Sequence, residues 1–286
     1  MGVQMKTAFI TDSGTGKTVQ EMAQKGIYSI PLQISYDQNS YDELEQLTLA
    51  QVHQLMREET LLSTSLPSLG KIEALFTQLK EEGYERVFCI PICTGLSGTM
   101  NAMELMASQV GLVFESVDTH VTAVVQEYLI VRCKELYEAG KSIDELKAYC
   151  QSVIDTTDTL LLPNDLNHLK RGGRLTPMAA LLGGLLKIKP VLQINQSTNG
   201  KIDVYDKVRT MSKAMDKVID RLISKGVGEG YCIYVAHVDD EAGAKVYYDK
   251  IVAKIPNVKI EIIPLVSVVG VHTGLGCQAL QTFKMI

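Results

Sequence analysis

Short apolar runs alternate along this chain with longer stretches of helical spacing, and the breaks between them are rich in Gly, Ser and Thr. Lys6–Thr11 and Ile27–Ser35 have the alternating, β-branched character of strands. Asp42–Glu59 and Leu69–Glu82 repeat at helical period, and Arg86–Cys93 is a continuous apolar run of the kind buried on both faces of a parallel sheet. Helix Thr99–Gln109, strand Leu112–Val117 and helix Val121–Ala139 continue the alternation. Repeated strand and helix order predicts an α/β fold whose first half is a doubly wound parallel sheet. Helix Ser142–Asp155 opens on a capping box, Ser142 with Glu145.

Beyond it the texture changes. Thr159–Leu162 reads as a strand, Leu166–Arg171 as a short helix and Pro177–Leu186 as an almost wholly apolar helix interrupted by Gly183-Gly184. Ile188–Asn195 and Lys201–Tyr205 flank the turn signal Ser197-Thr198-Asn199-Gly200, which predicts an antiparallel hairpin. Helix Thr210–Ser224, strand Tyr231–His237, helix Glu241–Ile255 and strand Val258–Ser267 follow. The expected architecture is therefore an N-terminal Rossmann-like α/β domain over residues 1–157 and a C-terminal α+β domain over 158–286, with the ligand site between them.

Composition narrows the function classes. The 286 residues are 46% hydrophobic and 21% charged, so the chain can bury a sizeable core and is neither disordered nor fibrous. A net charge of −5, with no basic cluster longer than Lys170–Arg174, argues against a nucleic-acid partner. The start, Met1–Lys6, lacks the features of a secretory signal, and no apolar run approaches the ~20 residues of a membrane helix, which makes the cytoplasm the expected location. The six cysteines form no Cys-x-x-Cys pair and have no histidines at zinc spacing, so neither a metal nor a disulfide framework is expected. Cys89 and Cys93 read as small core hydrophobes on one face of a strand.

Three polar segments close apolar runs: Ser63–Ser68, Gly95–Thr99 and Val271–Gly276. A strand that ends in such residues and enters a helix aims unpaired N–H groups and a positive dipole end at a small anion. Asp12–Thr18 looks like the end of a nucleotide-binding loop, but Thr11 stands where the first glycine belongs, so a plain strand-to-helix turn with Asp12 or Ser13 bonding local N–H groups is expected. Gly95-Leu96-Ser97-Gly98-Thr99 resembles a nucleophile elbow with Thr99 in place of the second glycine. The order Ser97, Asp239, His272 fits an α/β-hydrolase triad, so a serine hydrolase acting on an acyl substrate stays open beside an N-cap role for the Ser/Thr pair. His272 stands out because Thr-Gly-Leu-Gly follows it, whereas the other four histidines read as structural or surface groups. Lys170, Arg171 and Arg174 surround a glycine pair and suit a phosphate, a carboxylate or a partner surface.

Phe9–Ser13, Ser63–Ser68, Gly95–Thr99, Leu169–Arg174, Leu182–Pro190 and His272–Gly274 together resemble the DegV family in order and spacing across nearly the whole chain. That resemblance implies a bacterial, cytoplasmic lipid-binding protein that holds one long-chain fatty acid and is not itself an enzyme. It implies an ATP-dependent fatty acid kinase subunit, dihydroxyacetone-kinase-like, as partner, which phosphorylates the carboxylate to an acyl phosphate. No catalytic residue, metal or cofactor is implied beyond the bound fatty acid, and transient membrane contact fits such a carrier. By the same resemblance Thr64, Ser97 and His272 hold the carboxylate with Ser65, Gly98 and Thr273 beside them, while Arg209, Arg171 and Arg174 are candidates for partner docking or phosphoryl transfer. Leu66 departs from the family's usual Gln and removes a polar group near the carboxylate. The apolar stretch 178–186 is expected to line the acyl tunnel.

Overall fold

The computed structural model describes residues 5–181 and 188–286. The chain forms two compact units, Met1–Leu49 with Leu62–Cys150 and Ala50–Leu61 with Gln151–Ile286. The main crossing thus falls at 150/151, against an expected boundary near 157, and residues 50–61 are an excursion into the second unit.

In the first unit, β1 (Thr7–Asp12), α1 (Val19–Gln24) and β2 (Tyr28–Ile30) lead into a small meander of β3 (Gln33–Tyr36) and β4 (Asn39–Asp42). After the excursion, whose helix is α2 (Leu49–Arg57), come β5 (Ser63–Ser65), α3 (Leu69–Glu81), β6 (Arg86–Cys89), α4 (Thr99–Val110), β7 (Val113–Ser116), α5 (Val124–Glu138) and α6 (Ile143–Ile154), which runs across the crossing. The strands β2-β1-β6-β7 form an all-parallel sheet in that order. Because successive side chains of a strand point to opposite faces, Ala8, Ile10, Val87 and Cys89 meet Phe76 of α3 and Met103 of α4, while Phe9 meets Phe88 and Tyr137 of α5, ring centroids 5.5 Å apart in both cases. Helices on both faces make this sheet doubly wound, as its sequence predicts.

The single strand expected over Ile27–Ser35 is two strands in two sheets. Pro31 and Leu32 separate β2 from β3, and β3 pairs antiparallel with β4 and β5 in a separate three-stranded sheet. The β3–β4 turn is Asp37-Gln38, both at positive φ (48° and 63°), the geometry of a two-residue hairpin turn. The expected helix over Asp42–Glu59 accordingly starts only at Leu49. Strand β6 ends at Cys89, so Cys93 lies in the following loop; both thiols are buried. All six cysteines are free and buried, with Cys133 Sγ 3.2 Å from Cys150 Sγ. The capping box at Ser142 is formed: its N–H donates to Glu145 at 2.8 Å, and the Glu145 N–H donates back to its hydroxyl at 3.2 Å.

The second unit contains β8 (Asp158–Leu162), α7 (Leu166–Gly172), α8 (Pro177–Ala180), β9 (Lys189–Ile194), β10 (Asp203–Val208), α9 (Met211–Ser224), β11 (Tyr231–His237), α10 (Glu241–Lys254), β12 (Lys259–Pro264), α11 (Ser267–Thr273) and β13 (Gln278–Lys284). They build one mixed sheet, β10-β9-β8-β13-β11-β12, in which only β11 and β12 run parallel. The expected hairpin is β9–β10. The amphipathic helix α9 and helix α10 cover one face, placing Met215, Val218, Leu222, Tyr247 and Ile251 against Leu160, Val191, Ile233, Val235 and Leu280. Most of the expected tunnel helix, residues 182–186 with Gly183-Gly184, lies outside the described residues. Among the described residues no helix is long and apolar enough to cross a membrane, and no His, Cys, Asp and Glu cluster could hold a metal ion.

Candidate functional site

The parallel sheet has a topological switch point between β1 and β6, because β1 connects outward to β2 on one side and the chain returns on the other to β6. Open α/β sheets bind ligands beyond the carboxyl ends of the strands at such a point. Here those ends carry Asp12 and the loop Ile90–Gly98.

Asp12–Thr18 is a closed turn. The Asp12 carboxylate accepts from Gly14 N–H at 2.9 Å and caps a single 3-10 turn at Ser13–Thr15, and Gly16 follows at φ 76°. Ser13 takes the Leu32 N–H at 2.9 Å and donates to the buried Glu43 carboxylate. The amides that would cradle phosphates are thus occupied within the protein. Burial, only partly offset by hydrogen bonds from Gln126 and the Ile92 and Gly14 amides, raises Asp12 to about 6.

Ser97 is half-buried just before α4, whose N-cap is Gly98, a residue with no side chain to cap it. The open end of a helix twelve residues long offers N–H groups and a positive dipole end to an anion. Ser97 Oγ lies 2.8 Å from Thr99 Oγ1 and accepts from the Thr99 N–H at 3.3 Å. When Thr99 also donates its hydroxyl proton, the Ser97 proton is left to point outward. That is the arrangement of a donor to an anion, since a nucleophilic serine needs a base to receive its proton. Thr64, half-buried, and Ser65, exposed, lie on β5, with the Ser65 hydroxyl 3.4 Å from Gln33 Oε1. The sheet register pairs Thr64 with Ile34. Leu66 packs on the core of the first unit, and a methyl placed at Gly98 would meet its side chain at 3.7 Å, so the Ser-Thr-Ser segment and the Ser97 loop adjoin.

In the second unit the Leu169–Arg174 and His272–Gly274 motifs come together through α7 against α11. The expected strand over Val258–Ser267 stops at Pro264, and His272 sits in the last turn of α11. The segment Val271–Gly276 therefore closes a helix, and its dipole end is negative, unlike the strand-to-helix geometry expected for it. His272 is packed onto Gly172: a Cβ there would lie 2.3 Å from its Nδ1. Reciprocally, Gly274, at φ 82°, faces His168, whose Cδ2 a Cβ would meet at 2.7 Å. Burial, aided by the Arg174 charge, pushes His272 down to about 4, so its imidazole is neutral near pH 7 and can donate one N–H. His168 is lowered by burial and by Arg171. Sequence reasoning passed over His168, because its partner is a bare backbone more than a hundred residues away. Thr273 is fully buried, with its hydroxyl 3.5 Å from the Gly270 carbonyl.

Of the arginines, Arg171 and Arg209 are exposed and Arg174 is half-buried, donating to the Gly172 carbonyl. Asp239, the acid of the hydrolase reading, pairs with Arg57 of α2 and lies 3.7 Å from His53 Nδ1.

These features describe an α/β protein with a parallel sheet, a separate mixed sheet and a hydroxyl at an open helix end. A family model described as an uncharacterised protein of the DegV family matches residues 6–284. The DegV domain-containing protein lmo2514 of Listeria monocytogenes is 32% identical over 279 residues, covering 96% of this chain and 97% of that one. The chain belongs to the DegV family. Among solved structures, the fatty acid binding DegV family protein SAG1342 of Streptococcus agalactiae superposes with a TM-score of 0.88 at 31% identity, covering 99% of this chain and all of that one. DegV of Bacillus subtilis, a fatty acid binding protein, gives 0.85 at 27% identity over 99% of this chain and all of its own.

Proposed function

We propose that this chain binds one long-chain fatty acid, buries its acyl chain and holds its carboxylate through the hydroxyls of Thr64 and Ser97 and the neutral imidazole of His272. The observation that carries this reading is the Ser97 hydroxyl at the N-terminus of α4, 2.8 Å from Thr99 Oγ1 and next to the glycine N-cap Gly98, in a chain that aligns end to end with a fatty acid binding relative. An acyl chain of about fifteen methylenes gains on the order of 10 kcal/mol gross on leaving water, at ~0.8 kcal/mol per CH₂. Its carboxylate would cost several kcal/mol to bury unless donors met it, and hydroxyls, an imidazole N–H and helix-end amides are such donors.

On this reading the protein is a carrier in a bacterial cytoplasm that presents the carboxylate to an ATP-dependent kinase subunit, with Arg209, Arg171 and Arg174 on the side of the partner. Six free cysteines and bacterial relatives support that setting. The hydrolase alternative is disfavoured because the Asp239 carboxylate is engaged by Arg57, and an imidazole lowered to about 4 is a weak general base at neutral pH. Native mass spectrometry of freshly purified protein tests the reading: a mass increment equal to one fatty acid, lost on solvent extraction, is the expected result. Stoichiometric fluorophosphonate labelling of Ser97, abolished by His272→Ala, would decide for the hydrolase.

A further inference from the structure

The loop that carries Ser97 is gripped from both sides of its own strand. In the parallel sheet β6 lies between β1 and β7. Asp12, the last residue of β1, accepts the Ile92 N–H at 2.9 Å. Asp118, two residues past the end of β7, accepts the Thr94 N–H at 3.3 Å and also the Thr94 hydroxyl. Between the two anchored residues stands Cys93, whose carbonyl accepts from Leu96 N–H at 3.0 Å and from Ser97 N–H at 3.1 Å. The backbone of residues 92–94, anchored at Ile92 and Thr94 by the two aspartates, therefore holds the Cys93 carbonyl that accepts the Ser97 N–H.

Each aspartate is itself fixed. Asp12 receives the Gln126 side-chain amide at 2.8 Å, and that amide also donates to Thr11 at 2.9 Å. Asp118 receives the His120 N–H at 2.9 Å, and His120 sits at φ 55°, a left-handed conformation uncommon outside glycine. A hydrogen bond from N–H to carboxylate is shorter and stronger than one to a neutral acceptor. Two of them, from opposite neighbours, fix the loop against rotation about the strand end, which a single anchor would permit.

We propose that Asp12 and Asp118 are a pair of positioning residues that set the direction of the Ser97 hydroxyl, and so determine how strongly the site prefers a carboxylate over an uncharged head group. This rests on the fatty acid reading above. Neither aspartate contacts the ligand in this scheme; both act through backbone N–H groups of the loop.

The test compares hexadecanoic acid with hexadecan-1-ol binding to the full chain, because the alcohol shares the acyl burial and lacks the anion. Loss of the charged anchor in Asp118→Ala is expected to weaken acid binding about tenfold, as one misdirected donor to a carboxylate would, and to change alcohol binding less than about twofold on the same scale. Asp118→Asn keeps one acceptor oxygen, enough for the Thr94 N–H or the His120 N–H and not for both, and should restore part of the acid affinity. Thr94→Val, at an exposed position, removes only the hydroxyl half of the grip and should give a smaller loss in the same direction. Unchanged acid affinity in both Asp118→Ala and Thr94→Val, while Ser97→Ala weakens it, overturns the clamp alone. Equal loss of acid and alcohol overturns it too, as the mark of a general structural role. Acid binding untouched by Ser97→Ala overturns the head-group assignment and the clamp together.

Discussion

A donor to a buried carboxylate is worth about 1.5–3 kcal/mol, so Ser97→Ala or Thr64→Val should weaken fatty acid binding roughly ten- to a hundredfold, measurable by titration of delipidated protein. Gly172 makes a less obvious demand. It carries no hydrogen-bonding side chain, yet a single methyl there would meet His272 Nδ1 at 2.3 Å. Gly172→Ala is therefore expected to displace the imidazole and reproduce the binding defect of His272→Ala, whereas Gly173→Ala, with open space around its Cβ but φ 67°, should act through backbone strain on stability. Asp12 has its own signature. Its carboxyl titrates at about 6 when folded and near 3.8 when free, so between these values the folded protein holds a proton that the unfolded chain has released. Stability from this group is greatest below about pH 4 and declines by about 3 kcal/mol as pH rises past 6. Urea unfolding at pH 4 to 7 should show that decline in the parent and not in Asp12→Asn; parallel curves would refute it. At this scale the sequence singles out Ser97 and His272 as candidates because glycine and hydroxyl signatures surround them, while Asp118 and His168 carry no such signal, since what they meet is backbone at Thr94 and Gly274.

At the scale of elements, the second unit depends on one buried anion. Asp158 opens β8 with no exposure and receives Arg221 at 2.6 and 3.0 Å, Lys225 at 2.7 Å and Asn195 at 3.0 Å, which ties α9 and the β9 end to the sheet. Burial pushes its carboxyl up, but the hydrogen bonds from Arg221, Lys225 and Asn195 outweigh that and hold it below its ordinary value. The stability it contributes is thus present above the unfolded pKa near 4 and lost as pH falls through the depressed folded value. Arg221→Met should cost about 3–5 kcal/mol by leaving a buried charge under-compensated, and would shift the midpoint of urea unfolding accordingly. Helices such as α4, α6 and α9 could be read from the chain to within a few residues because period and caps agree: Ser142 with Glu145, and Thr210 accepting the Lys213 N–H at 3.2 Å. The β3–β4 hairpin escaped because its turn uses Asp37-Gln38 without glycine. Strand β13 escaped because polar Gln278, Gln281 and Thr282 are interspersed with its buried Ala279, Leu280 and Phe283, and these polar groups are buried with Gln278 donating to Asp240, Gln281 to Thr159 and Thr282 to the Cys232 carbonyl. Hydropathy sees such positions as surface.

For the whole molecule, carrier and partner functions should separate. Arg209 is exposed on the approach to α9; on the proposed carrier reading, Arg209→Ala is expected to retain bound lipid and lose acyl phosphate formation in an assay reconstituted with an ATP-dependent fatty acid kinase subunit, whereas loss of lipid as well would place it in the binding site instead. The alternation of strand and helix was enough to indicate a parallel sheet in the first unit, but not that residues 50–61 leave it to join the second, because no local pattern marks which core a helix will enter. The place of β13 also bears on how the protein is made. It fills the position between β8 and β11, pairing antiparallel with both, yet it follows every other strand of its sheet in the chain. As the polypeptide leaves the ribosome, β8 and β11 cannot pair with each other in the native arrangement and must keep two strand spacings, roughly 10 Å, between them. The first unit, whose sheet needs nothing beyond residue 150, can fold during synthesis, while the second waits with open strand edges until its middle arrives, the interval in which a nascent chain is most exposed to mispairing and most in need of a chaperone.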